Sequence, residues 1–162
     1  MRPDREHAFL GVPVLLMVHN YEEMLTIERA LPRVVEHLPA SLAAFVPTLE
    51  QMYFALALAT VIPWVIFLIA RFGTRAGVAL LLLLQCIVLV NVAWHAAAAV
   101  FLRGYAPGLV TAIAFNLPFS IYLLRRAYRE EWIRRRTLLV FLPLAVLLHG
   151  PLIFGVIQLA RG

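Results

Sequence analysis

The stretch Ala76–Leu102, AGVALLLLLQCIVLVNVAWHAAAAVFL, runs for twenty-seven residues without a single Asp, Glu, Lys or Arg. As a helix rising ~1.5 Å per residue, about 20 such residues cross the ~30 Å hydrocarbon core of a bilayer. This block therefore predicts a membrane-spanning helix. Four more apolar blocks flank it, at about residues 8–30, 42–70, 107–124 and 138–160. Pro63, Pro118, Pro143 and Pro151 lie inside them and predict kinks that neighbouring helices accommodate. Leu31 to Ala40, with Pro32 and Pro39, is too short and too polar to cross and predicts a connector lying at the interface.

Composition agrees with the blocks. Of 162 residues, 63% are apolar and mean hydropathy is +0.88, which excludes an ordinary soluble domain. The expected fold is all-α, a single domain over residues 1–162, built as a bundle of five transmembrane helices with a short interfacial connector after the first. Arg2 and Arg5 followed by Ala8–Val18 imitate a secretory signal, but His19-Asn20-Tyr21-Glu22-Glu23 stands where a small-residue cleavage site belongs. The segment is expected to be retained. No phosphate loop, dinucleotide fingerprint or serine elbow is present. Cys86 is the one cysteine, so no disulfide forms within the chain.

The formal charge of +5 comes from arginine alone, as there is no lysine. With five crossings, one side carries Arg2, Arg5, Arg71, Arg75, Arg125, Arg126, Arg129, Arg134, Arg135 and Arg136, and the other only Arg29, Arg33, Arg103 and Arg161. The positive-inside rule then places the N-terminus in the cytoplasm and the C-terminus outside, in the cell inner membrane. The basic residues sit between apolar blocks, so no nucleic-acid partner is expected. The arginines around Trp132 read as a topology anchor with an interfacial Trp, or as a contact for anionic lipid.

The polar residues inside the blocks carry the chemistry. An ionisable group at membrane depth costs roughly 2.5–3.5 kcal/mol on insertion scales and usually faces the bundle interior. His19 shares one helical face with Glu22 and Glu23, at i, i+3 and i+4, while Asn91 and His95 stack at i and i+4 on the third block. Glu50, Asn116 and His149 fall at similar depth on the second, fourth and fifth. One shared pocket is the economical reading.

In chain order, His19-Asn20-Tyr21-Glu22-Glu23, then Asn91-Val92-Ala93-Trp94-His95 as N-x-x-x-H, then Tyr105-Ala106-Pro107-Gly108 as Y-x-P-G, resemble the motifs of the HXXEE family of small bacterial membrane proteins. Each motif is short, and their order along most of the chain carries the resemblance. It implies that these residues form the family's site and leaves the reaction open.

Imidazole and carboxylate together suit Zn or Fe, and H-x-x-E reverses the helical E-x-x-H pairs of di-iron carboxylate proteins. His19, Glu22, Glu23, Glu50, His95 and His149 are the expected ligands to one or two ions, with Glu22, Glu23 and His95 catalytic. Asn91, Asn116 and Tyr105 are expected to orient ligands or bind substrate. The expected activity is that of an intramembrane metalloenzyme, hydrolase or oxidoreductase, on a membrane lipid or other lipophilic substrate. A metal-free acid–base isomerase, hydratase or cyclase of an isoprenoid or sterol-like lipid is the alternative. Proton-coupled transport or an accessory subunit follows, and homo-oligomerisation is left open. Blander readings stand beside these. The first span could leave the membrane at His19, Glu50 could be interfacial, His149 could be a helix–helix hydrogen bonder, and Tyr105–Gly108 could be only a turn.

Overall fold

A computed structural model describes residues 3–43 and 45–159, so Arg2, Ala44, Arg161 and the expected end of the fifth span at residue 160 lie outside the described residues. Among the described residues the secondary structure is entirely helical. Helix α1 covers Pro3–His37, α2 the single turn Ala40–Ala43, α3 Leu49–Arg71, and α4 Arg75–Phe101. A continuous helical run follows, made of α5 (Leu109–Thr111), a π-turn (Ala112–Asn116) and α6 (Leu117–Arg129), and α7 covers Arg135–Leu159.

Among the described residues three helices, rather than five, are long and apolar enough by themselves to cross a membrane: Leu49–Arg71, Arg75–Phe101 and Arg135–Leu152. The two other expected spans differ for physical reasons. Helix α1 carries Glu22, Glu23, Glu28, Arg29 and Arg33 in its second half, and it continues through Pro32 where a separate connector is expected. The run from Leu109 is broken by the π-turn and ends in Arg125, Arg126 and Arg129. Pro118 has no N–H to return to the preceding turn, and the widened π segment lies just before it.

The second span also begins later than expected. Thr48 Oγ1 accepts from the Gln51 backbone N–H at 3.3 Å, while Gln51 Oε1 accepts from the Thr48 N–H at 2.9 Å. This capping box starts α3 at Leu49 and leaves Glu50 exposed in its first turn.

Helix α4 is central and packs against α3, α6 and α7, while α1 lies along α3. Gly73, at φ +72°, turns the chain between α3 and α4, and Gly77 then lets the two backbones touch. A Cβ at Gly77 would lie 2.7 Å from the Ile69 carbonyl oxygen and 2.9 Å from the Ala70 Cα. Phe9, Val12, Leu81, Leu82, Cys86, Leu123 and Ala127 fill one half of the interior. Trp132 is buried in this core with its ring edge-on to Phe9 at 5.2 Å and with Arg5 and Arg126 over its faces. At the same end an ion pair joins Glu6 of α1 to Arg71 of α3 at 2.7 Å. The other half of the interior is polar, with His19, Asn20, His95, Thr111, Asn116 and His149 all buried.

Gly77→Ala should therefore force α3 and α4 apart and cost about 1–3 kcal/mol, as overpacked cores do. Gly150→Ala, where an added Cβ meets nothing within 4 Å, should be neutral or stabilise α7 by about 0.5–1 kcal/mol. Thermal unfolding of both variants in the same detergent checks the contrast.

Candidate functional site

The site is built by two helices and roofed by the segment after α4. On α1 the spacing of His19 and Glu23 puts both side chains on the face turned to α4, where Asn91 and His95 stand one turn apart. The Nε2 atoms of His19 and His95 are 3.1 Å apart. Glu23 brings one carboxylate oxygen to 3.7 Å from His19 Nε2 and the other to 3.8 Å from His95 Nε2. The Asn91 amide nitrogen lies 3.1 Å from His19 Nε2 and 2.9 Å from His95 Nε2, close enough to donate one hydrogen to each.

The far side of the His19 ring sets its tautomer. Thr111 Oγ1 lies 2.9 Å from His19 Nδ1 and donates its own hydrogen to the Gly108 carbonyl at 3.3 Å. With that hydrogen on Gly108, the hydroxyl accepts from Nδ1–H, and the Nε2 lone pair then faces inward. The segment Pro107–Thr111 thus holds the His19 ring from behind, and its Gly108 lies against both rings.

Gly108 is required twice over. Its φ of +74° lies in the left-handed region, and an added Cβ would come within 2.7 Å of Glu23 Cγ and His19 Cε1 and 3.0 Å of His95 Cε1. Its backbone forms the roof of the cluster. Arg33 of α1 fastens the start of the same segment by donating to the carbonyls of Leu102 at 2.8 Å and Tyr105 at 3.4 Å.

Glu22, one residue from Glu23, does a different job. Its carboxylate accepts from the Tyr105 hydroxyl at 2.5 Å, from Val110 N–H at 3.1 Å and from Thr111 N–H at 2.7 Å. Burial and this contact with Glu22 both push the Tyr105 phenol above its ordinary pKa. Both oxygens of Glu22 are engaged with the roof, so it stands outside the ring of converging donors.

Of the expected ligands, His19, Glu23 and His95 are brought together, each offering one atom within 4.8 Å of the others. The structure does not bring Glu50 to them, since it sits exposed at the start of α3. His149 is buried on α7 with its ring 6.1 Å from that of Trp94, and its Nε2 has no hydrogen-bond partner among the described residues. Asn116 is buried in the π-turn and its amide nitrogen is likewise without a partner there. Sequence reasoning missed Thr111, because an isolated threonine between Val110 and Ala112 carries no pattern. It also missed the buried pair in which Gln85 donates to Ser120 at 2.6 Å, although an amide inside an apolar run is a visible signal.

The arrangement offers two imidazole lone pairs and a carboxylate around one point. In zinc sites with metal–nitrogen bonds near 2.0–2.1 Å, two nitrogens 3.1 Å apart subtend an angle of about 100° at the ion. The set could therefore hold one metal ion with a coordination position to spare. Without an ion, Asn91 bridges the two imidazoles and the Glu23 carboxylate stands 3.7 and 3.8 Å from them, a grouping of acid and bases suited to proton transfer.

Removing the Glu22 clasp should loosen the roof. Tyr105→Phe is expected to cost about 1–2 kcal/mol and Glu22→Ala about 3–4 kcal/mol, since the latter also strands two backbone donors. Thermal unfolding in detergent checks the order, and a Glu22→Ala protein as stable as the parent would refute the clasp. Comparison with curated proteins and with solved structures finds no match to either. A family model described as a protein of unknown function with HXXEE motif matches residues 10–123, which include both helices of the cluster and its roof. The chain belongs to the HXXEE family.

Proposed function

We propose that this protein is a membrane-embedded zinc-dependent hydrolase acting on a lipophilic substrate, with His19, Glu23 and His95 holding a single ion. The observation that carries the reading is the convergence of two Nε2 lone pairs and one carboxylate from α1 and α4 on a common point. Two histidines and a glutamate with an open fourth position form a recurrent ligand set of hydrolytic zinc sites. A bound ion would supply Lewis acidity and an activated water, and would offset the charge of Glu23.

The chain's own residues account for the rest. Thr111 holds His19 in the tautomer a metal ligand needs, in the way carbonyls and carboxylates orient liganding histidines elsewhere. Asn91 donates its amide hydrogens to both Nε2 lone pairs and so holds the two imidazoles in place. Gly108 keeps bulk away from the rings. Trp94, Val100 and Phe101, exposed on the outer half of α4, present the apolar surface that a lipid-like substrate would cross.

In this reading the helices α1 and Leu109–Arg129 cross the membrane with the three apolar ones. The cluster and its roof engage Glu22 and Glu23 of α1. Arginine counts support a cytoplasmic N-terminus, an external C-terminus and the bacterial inner membrane. A C-terminal alkaline phosphatase fusion should then be active, and a fluorescent protein that matures only in the cytoplasm should be dark at the same position. The reverse pattern would remove the five-crossing arrangement.

Metal analysis by mass spectrometry on detergent-purified protein tests the centre. The parent should carry about one equivalent of zinc, lost in His19→Ala, His95→Ala and Glu23→Gln and kept in Glu50→Ala and His149→Ala. Binding should weaken as pH falls, because protons compete for the same Nε2 lone pairs. A parent that stays empty when zinc is supplied would overturn the metal reading. The hydrogen-bonded His19–Asn91–His95 network with Glu23 would then favour metal-free proton transfer on a lipid.

A further inference from the structure

Two clefts meet along α6, far along the chain from the His/Glu cluster, and Arg125 and Arg129 line both. One cleft, of about 760 Å³, has a mixed lining that includes Ile121, Tyr122 and Glu130. The other, of about 420 Å³, lies between α4, α6 and α7 and is walled by Cys86, Leu124, Leu138, Leu139 and Leu142. Arg125 and Arg129 are one helical turn apart and both exposed, and they line the mixed hollow and the apolar one alike.

The other charges that line the first cleft are engaged, and beside the second Arg135 lies over the Tyr128 ring and pairs with Glu131 at 3.1 Å. Arg126 donates to Glu130 at 2.7 Å and to the Tyr122 hydroxyl at 3.0 Å, and lies over the Trp132 ring. The second Glu130 oxygen accepts from Trp132 Nε1 at 2.8 Å. Glu130, the one carboxylate among the described residues lining this cleft, is thereby held by a cation and an indole, and Arg125 and Arg129 add positive charge beside it.

We propose that this is a binding site for one membrane phospholipid with an anionic headgroup, its phosphate between Arg125 and Arg129 and one acyl chain along the leucine-walled groove. Guanidinium forks match phosphate oxygens two at a time. A single amphipathic ligand fills both hollows, with its charge where the arginines are and its chain against Leu138, Leu139 and Leu142. Zwitterionic headgroups fit less well, because their ammonium would face two arginines. The site is independent of the metal reading and rests only on the chain lying in a bilayer.

The test uses full-length protein in a mild detergent. Binding of phosphatidylglycerol and of phosphatidylcholine with the same acyl chains is followed by native mass spectrometry. One phosphatidylglycerol per chain is expected, with phosphatidylcholine at least tenfold weaker. Neutralising both arginines, by Arg125→Gln with Arg129→Gln, should weaken phosphatidylglycerol binding about thirtyfold, each interfacial charge contributing about fivefold. Leu139→Trp, which obstructs the groove, should weaken the lipid but not water-soluble glycerophosphate. Metal content of the double variant should match the parent, which keeps this result separate from the His/Glu centre. Equal binding of the two lipids, unchanged binding in the double variant, or displacement by equimolar inorganic phosphate would each overturn the proposal. Extraction of the protein without detergent would overturn the bilayer premise itself.

Discussion

The polar end of this protein hangs on the Glu22 carboxylate. Three donors from one segment, the Tyr105 hydroxyl and the backbone N–H groups of Val110 and Thr111, converge on its two oxygens. Hydrogen bonds to a charged acceptor are roughly twice as strong as neutral ones, and more so where water is scarce. The clasp draws Tyr105–Thr111 down onto α1 and so sets everything above the cluster. Thr111 reaches His19 Nδ1, and Gly108 comes close enough to the rings that a single added carbon would collide with them.

The division of the interior follows from the same economy. An unpaired polar group in an apolar surrounding costs several kcal/mol, so polar side chains gather where they can satisfy one another. Phe9, Val12, Leu81, Leu82 and Leu123 interlock at one end, where large apolar side chains need no partners. Past Leu16 on α1 and Val88 on α4 the facing residues turn polar, and His19, Glu23, Asn91 and His95 find one another. The apolar half acts as a rigid support that aligns α1 with α4 and keeps the donors in register. Gln85 with Ser120 marks the seam between the halves, a polar pair set into the apolar side.

Helical periodicity is the part of the site that a reader can recover from residues alone. His19 and Glu23 at i and i+4, and Asn91 and His95 at the same spacing, must share faces of their own helices whatever surrounds them. Which neighbour each face meets is another matter. Glu22 and Glu23 are alike in type and adjacent in position, yet a helix turns about 100° between them, so one meets the roof and the other meets the histidines. Glu50 shows a local signal outweighed by a depth argument. The Thr48-x-x-Gln51 capping box announces a helix start, and reading it would have placed Glu50 in an exposed first turn. The count of spans fails for a related reason. Length and composition identify α3, α4 and α7 among the described residues, whereas α1 carries Glu22, Glu23, Glu28, Arg29 and Arg33 in its second half and so lacks the apolar signature.

By itself, then, the sequence determined an all-helical chain with three unmistakable apolar helices, and the residues belonging to the cluster on α1 and α4. These depend on period and composition, which are local. Only the tertiary structure decided that His19, Glu23 and His95 converge while Glu50 and His149 do not, that Glu22 serves the roof, and that Thr111 fixes a tautomer. Those outcomes depend on where helix α6 and the segment before it dock against α1. That docking comes from hydrogen bonds between residues more than eighty positions apart, which no local pattern records.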